Sequence, residues 1–255
     1  MTPLLELRQV AVRFGGVTAL DGVDLVIPSE EIHGLIGPNG AGKTTLLNVI
    51  CRIARPQEGT LSYAGQDLLL FEPQRLAGLG ISRTFQNLAL IDGASVIDNV
   101  LIGLHAHRPG GLIDELACVG RGWRRERAAR ETAMAALAPL GLLEQAEILA
   151  GRLSYGQRKM VELARAWVAK PRLLLLDEPT AGLNSHEIEQ LRLTLLSARS
   201  SDRLTILVIT HHIEFLLGMA DRVTVLDLGK NIAIGTPDEV RSDRRVIDAY
   251  IGNAP

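Results

Sequence analysis

Two cysteines, Cys51 and Cys118, are too few to build a disulfide framework in a chain of 255 residues, and such sparse use fits a reducing compartment. Excess charge is missing as well. A net charge of −2 with 22% charged residues removes the compositional basis for intrinsic disorder. It also gives no global electrostatic reason to bind DNA, RNA or an acidic membrane surface. No apolar run approaches the roughly 18 residues of a membrane span. The longest, near residues 173–176 and 204–209, are short enough to be strands of a soluble core. Glu6, Arg8 and Arg13 interrupt the opening residues, so the continuous apolar stretch of a signal peptide is lacking. There is no internal repeat, low-complexity tract or long linker. The expectation is a cytosolic chain, placed at a membrane only through a partner. What the chain does have is 47% apolar residues, enough for a sizeable core at a length where folding hides about 75% of the surface.

Leu5 and Leu7 alternate, and Val10, Val12 and Phe14 alternate again after a one-residue slip, which predicts a strand with a bulge near Arg8 and Gln9. Val23, Leu25 and Ile27 predict a second strand, ended by Pro28-Ser29-Glu30. An apolar strand over 32–36 runs directly into Gly37-Pro38-Asn39-Gly40-Ala41-Gly42-Lys43-Thr44-Thr45, and Leu46, Ile50 and Ile53 follow at helical spacing. Residues 60–100 mix short strands with loops, and from about 99 to 170 the composition is helical. Strand patterns return at 173–176 and 205–209, and residues 222–226 and 231–234 predict a hairpin about Leu228-Gly229-Lys230. Strand-rich ends around a helical middle predict an α/β core with a helical insertion.

The 37–45 loop satisfies G-x-x-x-x-G-K-[ST], between a strand and a helix as that motif requires. Glycines 37, 40 and 42 let successive N–H groups converge on phosphate oxygens, and the helix behind them turns its positive end to the same anion. Lys43 supplies a full charge for the β- and γ-phosphates, and the Thr44 hydroxyl is a Mg²⁺ ligand of the usual kind. After the apolar run 173–176, Asp177 and Glu178 arrive at a strand's C-terminal end, where α/β sheets bind ligands. Asp177 is placed for the Mg²⁺ shell and Glu178 to polarise the attacking water. Ser154 and Gln157 satisfy S-x-x-Q, a capping box opening a helix with Val161, Ala164 and Val168 on one face. Such a helix start also offers N–H groups to an anion.

These residues resemble the nucleotide-binding subunit of ABC transporters over nearly the whole chain. The resemblance implies a P-loop NTPase core of ABC-ATPase type with an antiparallel β subdomain. It implies one ATPase domain over 1–255, with 1–98 and 171–255 as the α/β catalytic core and about 99–170 as a helical subdomain carrying the signature motif. The glycine loop resembles Walker A, and residues 173–178 resemble Walker B plus the catalytic glutamate. Leu153-Ser154-Tyr155-Gly156-Gln157 resembles the LSGGQ signature, with Tyr155 in place of the first glycine. By this resemblance Ser154, Gly156 and Gln157 bind the γ-phosphate held by a second ATPase subunit, the same chain or a sibling. Gln86 is the Q-loop glutamine at Mg²⁺ and the membrane partner, and Phe14 is the aromatic that stacks on adenine. The switch histidine is His211 or His212, and the strand pattern directly before it favours His211. Ala181-Gly182-Leu183-Asn184 resembles the D-loop, with Asn184 in place of aspartate.

Ile81-Ser82-Arg83-Thr84-Phe85-Gln86-Asn87, the tyrosine signature, and the tail from Gly235-Thr236-Pro237 to Tyr250-Ile251-Gly252 are similar to importers of branched-chain and other hydrophobic amino acids. That branch implies ATP and Mg²⁺ as cofactors, two transmembrane permease subunits, an extracytoplasmic solute-binding protein, and a place on the cytoplasmic face of the membrane. The alternative within the resemblance is an importer of urea or short amides. Two further classes compete. A soluble ABC-type ATPase of DNA repair would insert a long coiled coil where only about 110 residues separate the loop from the signature, and ribosome-acting members carry two such domains. A non-hydrolysing regulatory module has no use for both Glu178 and His211. Residues 186–190 begin like H-E-x-x-H but end in Gln190, one zinc ligand short. Arg121, Arg124, Arg125, Arg127 and Arg130 read as a solvated helix face.

Overall fold

A computed structural model describes residues 3–84, 89–105 and 122–251. Cys118, Arg121 and the Q-loop candidate Gln86 lie outside the described residues. Two sheets carry the fold. The first has four strands in the order β2-β1-β4-β5: β1 Leu5–Phe14, β2 Val17–Ile27, β4 Glu58–Tyr63 and β5 Gln66–Asp67, all antiparallel. The expected bulge is there. Leu7 pairs with Leu25, but Val10 pairs with Val23, and Gln9 takes up the extra residue at a φ of +49°. Its backbone and side-chain amides both donate to Asp24, at 2.8 and 2.7 Å, which pins the slip.

The second sheet runs β10-β9-β3-β8-β7-β6, with β3 Ile32–Ile36 at its centre, β6 Ile81–Arg83, β7 Leu173–Asp177 and β8 Thr205–Ile209 on one side, and β9 Arg222–Asp227 and β10 Lys230–Gly235 on the other. Neighbouring strands are parallel except for the β9–β10 hairpin. Its turn, Leu228 and Gly229, has φ values of +45° and +78°, the pattern of a type I′ turn. Strands β3, β7 and β8 are buried on both faces, so they read as continuous apolar runs rather than alternation. Leu174, Leu176, Ile206 and Val208 pack into the core under the helices. Leu173, Leu175, Leu207 and Ile209 pack into a second core facing the antiparallel sheet.

Helix α1 (Lys43–Ile50) buries Leu46, Leu47, Val49 and Ile50 in that second core. It stops earlier than the spacing of Leu46, Ile50 and Ile53 predicts. Arg52 turns left-handed at a φ of +60°, and Ile53 lies 62% exposed, off the helix. Helices α2 (Val96–His105), α3 (Gly122–Leu137) and α4 (Tyr155–Trp167) pack on one another and share the other core with α5 (Ser185–Asp202). The short α6 (Ile213–Leu216), α7 (Pro237–Ser242) and α8 (Arg244–Ile251) complete the described chain. Among the described residues no helix is long and apolar enough to cross a membrane.

Candidate functional site

The C-terminal ends of β3, β7 and β8 deliver the expected residues to one edge of the sheet. β3 runs into the glycine loop, and Gly42, at a φ of +100°, is the residue from which α1 starts. A Cβ at Gly42 would lie 2.5 Å from the Ala19 carbonyl oxygen and 2.8 Å from Leu20 Cδ2, whereas one at Gly40 (φ +81°) would meet nothing within 4 Å. The loop is thus walled on one side by β2 and open on the other. It is also braced from behind, because the Gly229 N–H at the β9–β10 turn donates to the Ala41 carbonyl at 3.1 Å. Pro38 is half-buried, Asn39 and Gly40 are exposed, and Ala41 is buried.

Lys43 is 9% exposed as a residue; its ammonium donates to the carbonyls of Gly37 and Pro38 at 2.6 and 2.9 Å, and burial pushes its pKa down. The positive end is thus held by the first two carbonyls of the loop. Thr44 is exposed and Thr45 half-buried on the first turn of α1. Asp177, the last residue of β7, is 3% exposed, and burial raises its pKa although Arg83 Nη2 sits 3.1 Å from Oδ2. Next in the chain, Glu178 has a φ of +48°, uncommon for a non-glycine residue. Its Oε2 is enclosed without a hydrogen bond, and His211 Nδ1 approaches it to 3.0 Å without aligned geometry. An enclosed acceptor lacking a partner is costly where no ligand uses it. Of the two histidines, His211 is the one beside Glu178. The His212 ring is half-buried, its Nδ1 enclosed and unpartnered.

Phe14 is 57% exposed at the β1–β2 turn, paired with Val17. Both precede the Ala19–Leu20 stretch that walls the loop, so an apolar platform adjoins the phosphate cradle. On α4 the capping box forms: the Gln157 N–H donates to Ser154 Oγ at 3.2 Å and the Ser154 N–H to Gln157 Oε1 at 3.0 Å. Ser154 and Tyr155 are exposed and Gly156 is buried. The donor set fits a magnesium nucleotide. One buried ammonium and open loop amides suit phosphates, and a hydroxyl with a buried carboxylate suits a hard cation that keeps most of its waters. Among the described residues no group of three His, Cys, Asp or Glu forms a self-contained metal cage.

Three features escaped the sequence reading. Arg83 bridges Asp177 and Asn48 (3.0 Å to Oδ1). Tyr250 on α8 is packed against the core beside the Gly37 backbone, its hydroxyl enclosed without completing a hydrogen bond and its pKa pushed up to about 12 by burial. An apolar groove of about 490 Å³ is lined by Cys51, Ile53, Leu76, Ile102, Arg83 and Arg165 among others.

Comparison with known proteins agrees with this geometry. The family model "ABC transporter" matches residues 20–181, and that of the branched-chain amino acid ATP-binding cassette transporter matches residues 230–254. The chain belongs to the ATP-binding cassettes of ABC transporters, and it is an ATPase. Within that family it is similar to the high-affinity branched-chain amino acid transport ATP-binding proteins BraF of Pseudomonas aeruginosa, at 36% identity, and LivG of Escherichia coli, at 38%. Each match covers 99% of both chains. Among solved structures it resembles the ADP conformation of MJ1267, an ATP-binding cassette of an ABC transporter, with a TM-score of 0.85 at 30% identity over 99% of this chain and 100% of that one. The dimeric bacterial cassette MJ0796 gives a TM-score of 0.77 at 26% identity over 91% and 98%.

Proposed function

We propose that the chain hydrolyses ATP to drive uptake of branched-chain or other hydrophobic amino acids, working as one of two cassettes on the cytoplasmic face of a membrane. The observation that carries the hydrolytic part is Glu178: an enclosed carboxylate oxygen without a hydrogen bond, 3.0 Å from His211 and one residue from Asp177. Lys43 and the loop N–H groups of Asn39, Gly40 and Gly42, with Thr45 behind them, hold the phosphates, and Phe14 supplies a face for adenine. Thr44 and Asp177, with Gln86 as the family resemblance implies, would hold a magnesium ion, which would supply charge neutralisation for the phosphates. Glu178 takes a hydrogen bond from water and aims it at the γ-phosphorus; the water oxygen bonds to phosphorus as the bond to the β,γ-bridging oxygen breaks, the water's proton passes by way of Glu178 to the departing phosphate, and ADP and phosphate leave. His211 and Lys43 balance charge gathering on the γ-oxygens.

The signature turn, exposed at Ser154 and Tyr155, serves with Ser154, Gly156 and Gln157 the γ-phosphate of the other cassette, so ATP joins the two. The dimeric cassette among the structural neighbours supports that arrangement. Permease subunits fit the apolar groove, whose lining includes Arg83 and Ala89. The solute specificity is supported by the names of the relatives and by the C-terminal match. An extracytoplasmic binding protein would deliver the solute to the permeases. The test is Glu178→Gln: ATP affinity persists while phosphate release falls on the order of 10²–10⁴-fold. Near-parental turnover would remove Glu178 from its role.

A further inference from the structure

We infer that Lys159 is a positioning residue for hydrolysis: from the helix that opens with the signature turn, its ammonium holds the Glu178 peptide in the orientation that presents the carboxylate to water. The inference rests on the role of Glu178 proposed above. Lys159 lies on the second turn of α4 with 8% of its surface exposed, and its Nζ donates to the Glu178 carbonyl oxygen at 2.9 Å. Burying a lysine is costly unless its charge is answered. Here Glu162, Glu178 and Asp177 all act on it, with burial as the larger and opposing influence.

Glu178 needs holding. A side chain with a Cβ at a φ of +48° is disfavoured by sterics, and nothing in a Glu-Pro sequence compensates locally. Three hydrogen bonds clamp its peptide instead. The N–H donates to Ile209 O at the end of β8 at 2.8 Å, and the carbonyl accepts from Ala181 N at 3.2 Å and from Lys159 Nζ. Only the last comes from the signature helix. That helix is braced on the same segment at two more points. A Cβ at Gly182 would stand 2.4 Å from Tyr155 Cε1, and one at Gly156 would stand 2.1 Å from Glu187 Oε1, so these side chains already fill the space. Glu187 is itself fixed by a capping box with Asn184, the Asn184 N–H donating to Glu187 Oε2 at 2.9 Å and the Glu187 N–H to Asn184 Oδ1 at 3.0 Å. Lys159 also lies 5.9 Å from the centre of the Tyr155 ring. Lys159 therefore links the signature helix directly to the Glu178 carbonyl through one side chain.

The test measures phosphate release and ATP affinity for the purified chain carrying Lys159→Met, Lys159→Arg, Glu178→Gln, and Lys159→Met combined with Glu178→Gln. Lys159→Met is expected to lower kcat about 10- to 100-fold, the scale of a displacement near 1 Å, while KM and ATP affinity stay within about twofold. Arginine, which keeps a charged donor, restores most of the rate. In the Glu178→Gln background the methionine change removes nothing further, because the carboxylate it positions is gone. Parental turnover in Lys159→Met overturns the inference, as does an equal additional loss in the Glu178→Gln background or a parallel loss of ATP affinity. If Lys159→Met does not fold, Lys159→Gln, polar but shorter and neutral, carries the same expectations. Normal turnover in Glu178→Gln alone would instead sink the role of Glu178; a dead Glu178→Gln beside a normal Lys159→Met sinks only the lysine.

Discussion

Alanine at Gly42 and alanine at Gly40, two residues apart in one loop, should have sharply different effects on folding. Both positions are left-handed, at φ values of +100° and +81°, so each alanine incurs about 1–2 kcal/mol of backbone strain. Each also gains about 0.4–1 kcal/mol because the unfolded chain loses freedom. At Gly40 those terms nearly offset, since a methyl there meets nothing within 4 Å, and the net loss is about 1 kcal/mol or less. At Gly42 the methyl would lie 2.5 Å from the Ala19 carbonyl oxygen, a backbone atom that no rotamer change can move. Overpacking of that kind adds about 1–3 kcal/mol, for a net loss of about 2–4 kcal/mol. Urea unfolding without nucleotide reads the difference as a large fall in midpoint for Gly42→Ala and a small one for Gly40→Ala. ATP binding ranks differently: Gly40→Ala should weaken it by more than its stability loss implies, because its methyl points to the open side of the cradle. If Gly40→Ala unfolds as readily as Gly42→Ala, or keeps full ATP affinity, the assignment of walled and open faces is wrong.

Three further predictions concern the same site. ATP affinity should fall as pH rises through the Lys43 pKa, which burial holds below the ordinary lysine range; the folded protein then favours the neutral amine, so the alkaline loss begins earlier than for a free lysine and is read from ATP titrations at stepped pH. His211→Ala should cut phosphate release on the order of 10²-fold while His212→Ala stays within about twofold, and the reverse order would transfer the role to His212. Ser154→Ala should cost about 1 kcal/mol of stability through loss of the cap on α4, measured by urea unfolding, and an unchanged midpoint would deny the capping box any energetic weight.

Much of the site was legible because it is local. The glycine loop, the apolar run ending in Asp177 and Glu178, and the S-x-x-Q box each lie within ten residues, and their spacing determines which atoms can meet. The bulge at Gln9 was legible for the same reason, as a slip in a two-residue period. What stayed hidden depends on distant pairings. Nothing in the neighbourhood of Arg83 says that it lies against Asp177, since β6 meets β7 only through a parallel pairing across 89 intervening residues. Lys159 looks like any polar residue of an amphipathic helix until α4 is docked on the end of β7. The left-handed backbone of Glu178 carries no glycine to betray it. The helix ending before Ile53 was misjudged because apolar spacing continued past the point where Arg52 reverses the chain.

The hairpin turn at Leu228 and Gly229 gives the phosphate loop a back wall made late in the chain. Every catalytic motif named above precedes residue 212, yet the Gly229 N–H that steadies Ala41, and the Leu226 carbonyl whose oxygen would lie 2.1 Å from a Cβ at Gly37, come afterwards. A fragment ending at His211 would keep all the recognisable chemistry and leave its anion cradle unsupported from the rear. Synthesis on the ribosome runs from the N-terminus, so the nascent cassette can grip nucleotide firmly only once Leu226 and Gly229 have emerged and folded back.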